Sequence, residues 1–201
     1  MQFIEASGIQ DIAKKFGTQQ WGDRKSKYYD LIAEGIQLLR RMPPPLPGDP
    51  TPGPCTSSRR IIKHMLFKDH EAPIEYNTVE ELQDHLNRVA RLGYRNNPNP
   101  PVVNLEKELV FCYTDFNDEN FMFTTDADCR LCLYIVDFEH ASFLPVSFLA
   151  YAFFEPNSRW FLCRWIGDRI GSTLPRVNLE VMQRISYMFQ ISTWRIGLSK
   201  G

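Results

Sequence analysis

The segment from Phe111 to Ala141, FCYTDFNDENFMFTTDADCRLCLYIVDFEHA, constrains the fold more than any other part of the chain. An apolar run leads into a short polar loop that carries Asp115, Asp118, Glu119 and Asn120. Asn120–Phe123, a polar turn at Thr124–Arg130 and the run Leu131–Val136 then read as a β-hairpin whose second strand ends on Asp137. A hairpin returns its second strand beside the start of its first, so Asp115, Asn120 and Asp137 are expected to converge on one edge. Two carboxylates and an amide oxygen suit a hard cation such as Mg²⁺, which takes oxygen ligands and shares them with phosphates. A plainer role fits the same residues, because Asp and Asn also form turns and cap strand ends.

Order and spacing add to this. Asp115-Phe-Asn-Asp-Glu-Asn120 resembles the D-x-x-x-x-N catalytic loop of the kinase superfamily, and Val136-Asp137-Phe138-Glu139 resembles its metal-binding segment. The wording around them is closer to the aminoglycoside phosphotransferase family. There, H-G-D-x-x-x-x-N is followed by an I-D-W/F-E segment, a small residue, an aromatic and a Pro. Here Ile135-Val-Asp-Phe-Glu139 is followed by Ala141-Ser-Phe-Leu-Pro145. The chain departs from that pattern at Tyr113-Thr114, where the family has His-Gly.

The resemblance implies an α+β fold, mainly α: the helical carboxy-terminal lobe of the protein-kinase-like fold with a small β-hairpin, as a single domain over residues 1–201. It implies transfer of the ATP γ-phosphate to a small-molecule hydroxyl. Asp115 would orient or deprotonate that hydroxyl, and Asn120 and Asp137 would hold Mg²⁺. Residues 1–7, MQFIEAS, are similar to the hinge between the two lobes in the fungal branch, where the backbone of Phe3 and Ile4 would meet the adenine edge. A plain edge strand or a loose start is the other reading of that segment. No G-x-x-x-x-G-K-[ST] motif, glycine-rich loop on a hairpin or strand Lys with a helical Glu is found. The resemblance therefore implies a truncated or degenerate member with its amino-terminal lobe missing, and leaves its activity open. The rival expectation is a pseudokinase-like binding module, with a protein partner or self-association at the face the other lobe would cover. A gene fragment without function is the third. The acceptor cannot be named.

Net charge is −1 over 201 residues, which gives no reason to expect nucleic acid or an anionic membrane as partner. The longest apolar run, Phe143–Phe154, is too short to span a bilayer. The first residues lack a basic stretch before an apolar core, and the expected location is cytoplasmic. Five cysteines argue against a disulfide framework. Cys129-x-x-Cys132 fits half a zinc site or a redox pair, but no second ligand pair lies at matching spacing, and a hairpin turn is the wrong setting for a redox motif.

Elsewhere the chain reads as amphipathic helices. Ile9–Trp21 has helical character. Arg24–Arg41 carries an apolar stripe of Tyr28, Leu31, Ile32, Ile36, Leu38 and Leu39, with Asp23 as candidate cap and Pro43–Pro45 as the stop. Pro43–Arg60 is a Pro-rich loop, read as structural or as a proline-recognition ligand. Its Gly53-Pro54-Cys55 resembles the end of the fungal branch's Gly-Gly-Pro-Cys element. Thr78-Val-Glu-Glu81 is a capping box opening a helix over Val79–Leu92, with Val79, Leu82, Leu86, Val89 and Leu92 on one face and Gly93 at its end. His64, His70 and His85 share no metal spacing and read as solvated or locally bonded. Val146–Phe154, Arg159–Ile170 and Leu179–Ile191 are further helices. Trp160, Phe161 and Trp165 are read as core or as the lining of a substrate cleft.

Overall fold

The computed structural model describes residues 6–44, 51–55, 60–154, 161–192 and 195–198. The architecture is α+β: about half of the chain is helical, with two small three-stranded antiparallel sheets. Phe3, Ile4 and Trp160 lie outside the described residues.

The first helical stretch, α1 (Ile9–Arg40), is two helices joined across a kink, as expected, but the break lies before Trp21. A kink at Gly17, with φ 69° and ψ 167°, divides it into two helical segments, and the second begins ahead of Asp23. That region of backbone angles is essentially closed to residues with a side chain. Asp23 is therefore inside the second segment and caps nothing. Tyr29, Ile32, Ala33 and Ile36 are the buried residues of its second half. Leu38, expected in the apolar stripe, is 64% exposed, because two helical steps past Ile36 turn it about 200° away from the core. Met42 N–H bonds back to the Leu39 carbonyl before the prolines end the helix.

In α2 (Val79–Gly93) the capping box forms: the Thr78 hydroxyl accepts from Glu81 N–H at 3.1 Å. Glu81 reaches one residue further back than the motif requires and accepts from Asn77 N–H at 2.8 Å. Val79, Leu82, Leu86 and Val89 are buried as expected, Leu92 is half exposed, and His85 is on the buried face instead. Gly93 is the last helical residue, one position before the cap at Tyr94.

The sheets carry the loops of interest. In one, β1 (Ser7–Gly8) pairs with β4 (Phe121–Thr125), which pairs with β5 (Leu131–Ile135). The expected hairpin is there, with Phe121 opposite Ile135 and Thr125 opposite Leu131. Its turn is closed by Asp126, whose carboxylate accepts from the N–H groups of Asp128 and Arg130. In the other sheet, β6 (Ser142–Pro145) lies between β2 (Gly53–Pro54) and β3 (Leu109–Cys112). The end of the Pro-rich stretch is thus tied to the segment that follows Asp137.

α3 (Val146–Phe154), α4 (Phe161–Ile170) and α5 (Leu179–Ile191) complete the core. α3 is buried along almost its whole length, and Glu106 holds its start by accepting from the Ser147 N–H and hydroxyl. An anion there complements the helix dipole. Trp165 stacks on Tyr29 with ring centroids 5.6 Å apart, which puts it between α1 and α4 rather than in a cleft. No described helix is long and apolar enough to cross a membrane.

Candidate functional site

The loop between β3 and β4 rests on an aromatic floor. Tyr113 and Phe116 are fully buried, and Tyr113 meets Phe116, Phe121 and Phe138 at 5.3–6.2 Å between ring centroids. Tyr113, Thr114 and Phe116 are buried, and Asp115 among them is only half-buried, at the rim. The loop closes on Asn117, through one side-chain bond and one backbone bond. Asn117 accepts from Glu119 N–H at 3.2 Å, and the Asn117 carbonyl accepts from Asn120 N–H at 3.0 Å.

Hydrogen bonds join Asp115 to Asn120, and Asn120 to Val136, the residue before Asp137. The Asn120 amide donates to the Asp115 carbonyl at 3.3 Å. The Asn120 carbonyl accepts from Val136 N–H at 3.0 Å, next to Asp137. The Tyr113 hydroxyl donates to the Val136 carbonyl at 2.8 Å. Burial first, and then the Asp115 charge, push the Tyr113 phenol well above its ordinary range; Asn120 opposes this and Asp137 adds to it. Both carboxylates therefore act on the same buried phenol.

Asp137 is exposed and has a left-handed backbone, φ 57°, which non-glycine residues rarely adopt. Its carboxylate accepts from Glu139 N–H at 3.2 Å. Such outliers persist where the surroundings enforce them and concentrate at functional positions. Asn120 is buried, with its amide nitrogen committed to the Asp115 carbonyl. Among the described residues, no group of three or more His, Cys, Asp or Glu side chains is arranged to hold a metal ion. An amide oxygen and one carboxylate are a donor set that suits Mg²⁺ only when phosphate and water supply the other ligands.

The sequence reading missed His140 and Lys63. His140 Nδ1 lies 3.9 Å from Asp115 Oδ2, and the His70 ring meets His140 edge-on at 5.5 Å. Lys63 pairs with Glu139 and lies 3.9 Å from Glu71. His140 was visible in the sequence as the residue after Asp-Phe-Glu, whereas nothing local linked His70 or Lys63 to the loop. Thr114, the second departure from the family pattern, donates its hydroxyl to the His140 carbonyl at 3.1 Å.

His64 and His85 are buried and bonded both to near neighbours and to distant backbone, and His64 is close enough to feel His70 and His140. His64 accepts from Leu66 N–H at 3.0 Å and its Nε2 lies 3.1 Å from the Phe148 carbonyl. His85 bonds to the Tyr76 hydroxyl at 2.6 Å and to the Ile196 carbonyl at 2.8 Å. Cys129 and Cys132 are free thiols in and after the hairpin turn. Compared with known proteins, the chain matches no family model, no curated protein and no solved structure.

Proposed function

We propose that the chain is the carboxy-terminal lobe of a kinase-like phosphotransferase, of the aminoglycoside phosphotransferase type, acting on a small-molecule hydroxyl. The observation that carries this reading is the bonded frame of the loop: Asn120 to the Asp115 carbonyl, Val136 to the Asn120 carbonyl and Tyr113 to the Val136 carbonyl. Phosphoryl transfer asks the protein chiefly for position and charge compensation. The frame provides position. Asp115, at the rim, is the group for the acceptor hydroxyl, and Asn120 and Asp137 are the oxygen donors. Magnesium, when bound with ATP, neutralises phosphate charge.

Tyr113 supports this reading although it departs from the family pattern. The resemblance puts a backbone-bonded His beneath the loop, and the Tyr113 phenol makes a backbone bond from the same position. The test is Mg²⁺-dependent release of phosphate from ATP by the native chain and by Asp115→Ala. Release that is lost in the variant supports the proposal. Release unchanged in the variant overturns it, and a native chain without release leaves the binding-module reading as the better one.

A further inference from the structure

We infer that His140 is a positioning residue for Asp115: its imidazole fixes the carboxylate toward the acceptor hydroxyl, and His70 in turn fixes the imidazole. The inference rests on the phosphotransferase reading of Asp115.

Asp115 is only lightly held by its own loop, with Asn117 N–H 3.4 Å from Oδ1. Its other oxygen faces His140 Nδ1 at 3.9 Å, an ion-pair distance when the ring is protonated. The Asp115 side chain is 22% exposed and that of His140 is 29% exposed, so water screens the pair less than on an open surface. The His140 backbone is fixed from two sides. The Thr114 hydroxyl donates to its carbonyl, and Ala141 N–H closes a turn onto the Phe138 carbonyl at 3.0 Å. A Gly at position 114 has no hydroxyl for this bond, so the departure from the family pattern supplies the link.

The ring of His140 is braced from the far side. Asp69 and His70 are consecutive non-glycine residues with left-handed backbones, φ 51° and 61°. The short loop around them holds that conformation: His64 N–H bonds to the His70 carbonyl at 2.8 Å, and His70 N–H to the Phe67 carbonyl at 3.2 Å. Two adjacent residues in this region need enforcement by their surroundings, and its product is the His70 ring set edge-on against His140. The other charged groups nearby are Lys63, Asp69, Glu71 and Glu139, with the buried His64 behind them. Glu139 feels His140 but is engaged by Lys63, which leaves Asp115 as the carboxylate opposite Nδ1.

In the transfer step, the acceptor oxygen forms a bond to the γ-phosphorus while the bond to the β,γ-bridging oxygen breaks. That electron pair leaves with ADP, and the hydroxyl proton passes to Asp115. With water as acceptor the product is inorganic phosphate. A carboxylate free to rotate serves this step poorly, since small misplacements are costly in rate.

Two measurements test the assignment. The first uses the chain without nucleotide and follows the His70 ring protons by NMR across pH. Burial first, and then the His140 charge, hold His70 below its ordinary range, while Asp115 and Asp69 oppose them. His140→Gln should move the His70 titration up, and Asp115→Asn should move it down. The second follows phosphate release from ATP with Mg²⁺. His140→Gln should lower kcat on the order of tenfold to a hundredfold with KM for ATP unchanged, and added imidazole should restore part of the rate in His140→Gly. A His70 titration that ignores both replacements, or a native kcat in His140→Gln, overturns the inference and leaves the phosphotransferase reading standing. A native chain that releases no phosphate while His70 responds to both replacements overturns that reading, and with it any catalytic role of His140.

Discussion

Tyr113 donates its phenol to the Val136 carbonyl at 2.8 Å, which ties the residue two before Asp115 to the residue just before Asp137. Thr114 makes the parallel bond to the His140 carbonyl at 3.1 Å. The two positions that depart from the family pattern thus both hold the segment around Asp137 by its backbone. Tyr113→Phe keeps the ring in its aromatic pocket and removes one bond. The expected loss is about 1 kcal/mol of stability in urea unfolding. An unchanged midpoint would mean that water replaces the phenol at the Val136 carbonyl.

His64 sets an acid limit on stability. It is fully buried, and burial first, with the charges of His70 and His140 adding, lowers its pKa from 6.5 to about 3, against the opposing bond to the Phe148 carbonyl. The unfolded chain therefore takes up a proton below pH 6.5 that the folded chain refuses until about pH 3. The folded state binds fewer protons in that window, so stability is full above 6.5 and falls as the pH drops through it, by up to about 1.4 kcal/mol per unit. Burial lowers His70 and His85 in the same direction. Denaturant midpoints measured between pH 7 and 4.5 should show this slope, and His64→Gln should show a shallower one. Equal slopes would assign the acid sensitivity to other groups.

The Thr78 cap is worth a separate test because it lies outside the candidate site. Thr78→Ala removes the bond to Glu81 N–H and should destabilise the protein by about 1 kcal/mol. Thr78→Ser should keep most of it. The same loss in both would place the contribution in the Thr methyl group rather than in the cap.

Thiol chemistry should separate the five cysteines. Cys129 is exposed, Cys112 and Cys163 are buried, and burial pushes the Cys112 thiol up to about 12. The thiolate is the reactive form, so Cys129 should alkylate first in the native protein. Cys112 and Cys163 should react only after denaturation. Rapid labelling of Cys112 under native conditions would contradict the packing of β3 against β6.

The hairpin, its turn and the capping box were readable because each depends on neighbours in the sequence. The period-two strands, Asp126 in the turn and Thr78 three residues before Glu81 all act locally. The chain also showed Asp115, Asn120 and Asp137 in order, and the backbone bonds among their neighbours follow from hairpin closure. What escaped depends on distant contacts. His70 meets His140 from a loop in which Asp69 and His70 have left-handed backbones, and no sequence signal links that loop to position 140. Lys63 meets Glu139 across more than seventy residues. Leu38 and Leu92 fit a helical period and still face out, since the period gives a stripe but not its width. Asp23 has a capping side chain, yet the break falls at Gly17, so the second helical segment is already under way at Asp23.

The most direct measurement is calorimetry of ATP with Mg²⁺ on the native chain and on Asp137→Asn. Asn tolerates the left-handed backbone of position 137 and lacks the charge. A metal site that includes Asp137 predicts Mg²⁺-dependent binding by the native chain and its loss in the variant. No binding by the native chain, or equal binding by both, would contradict it.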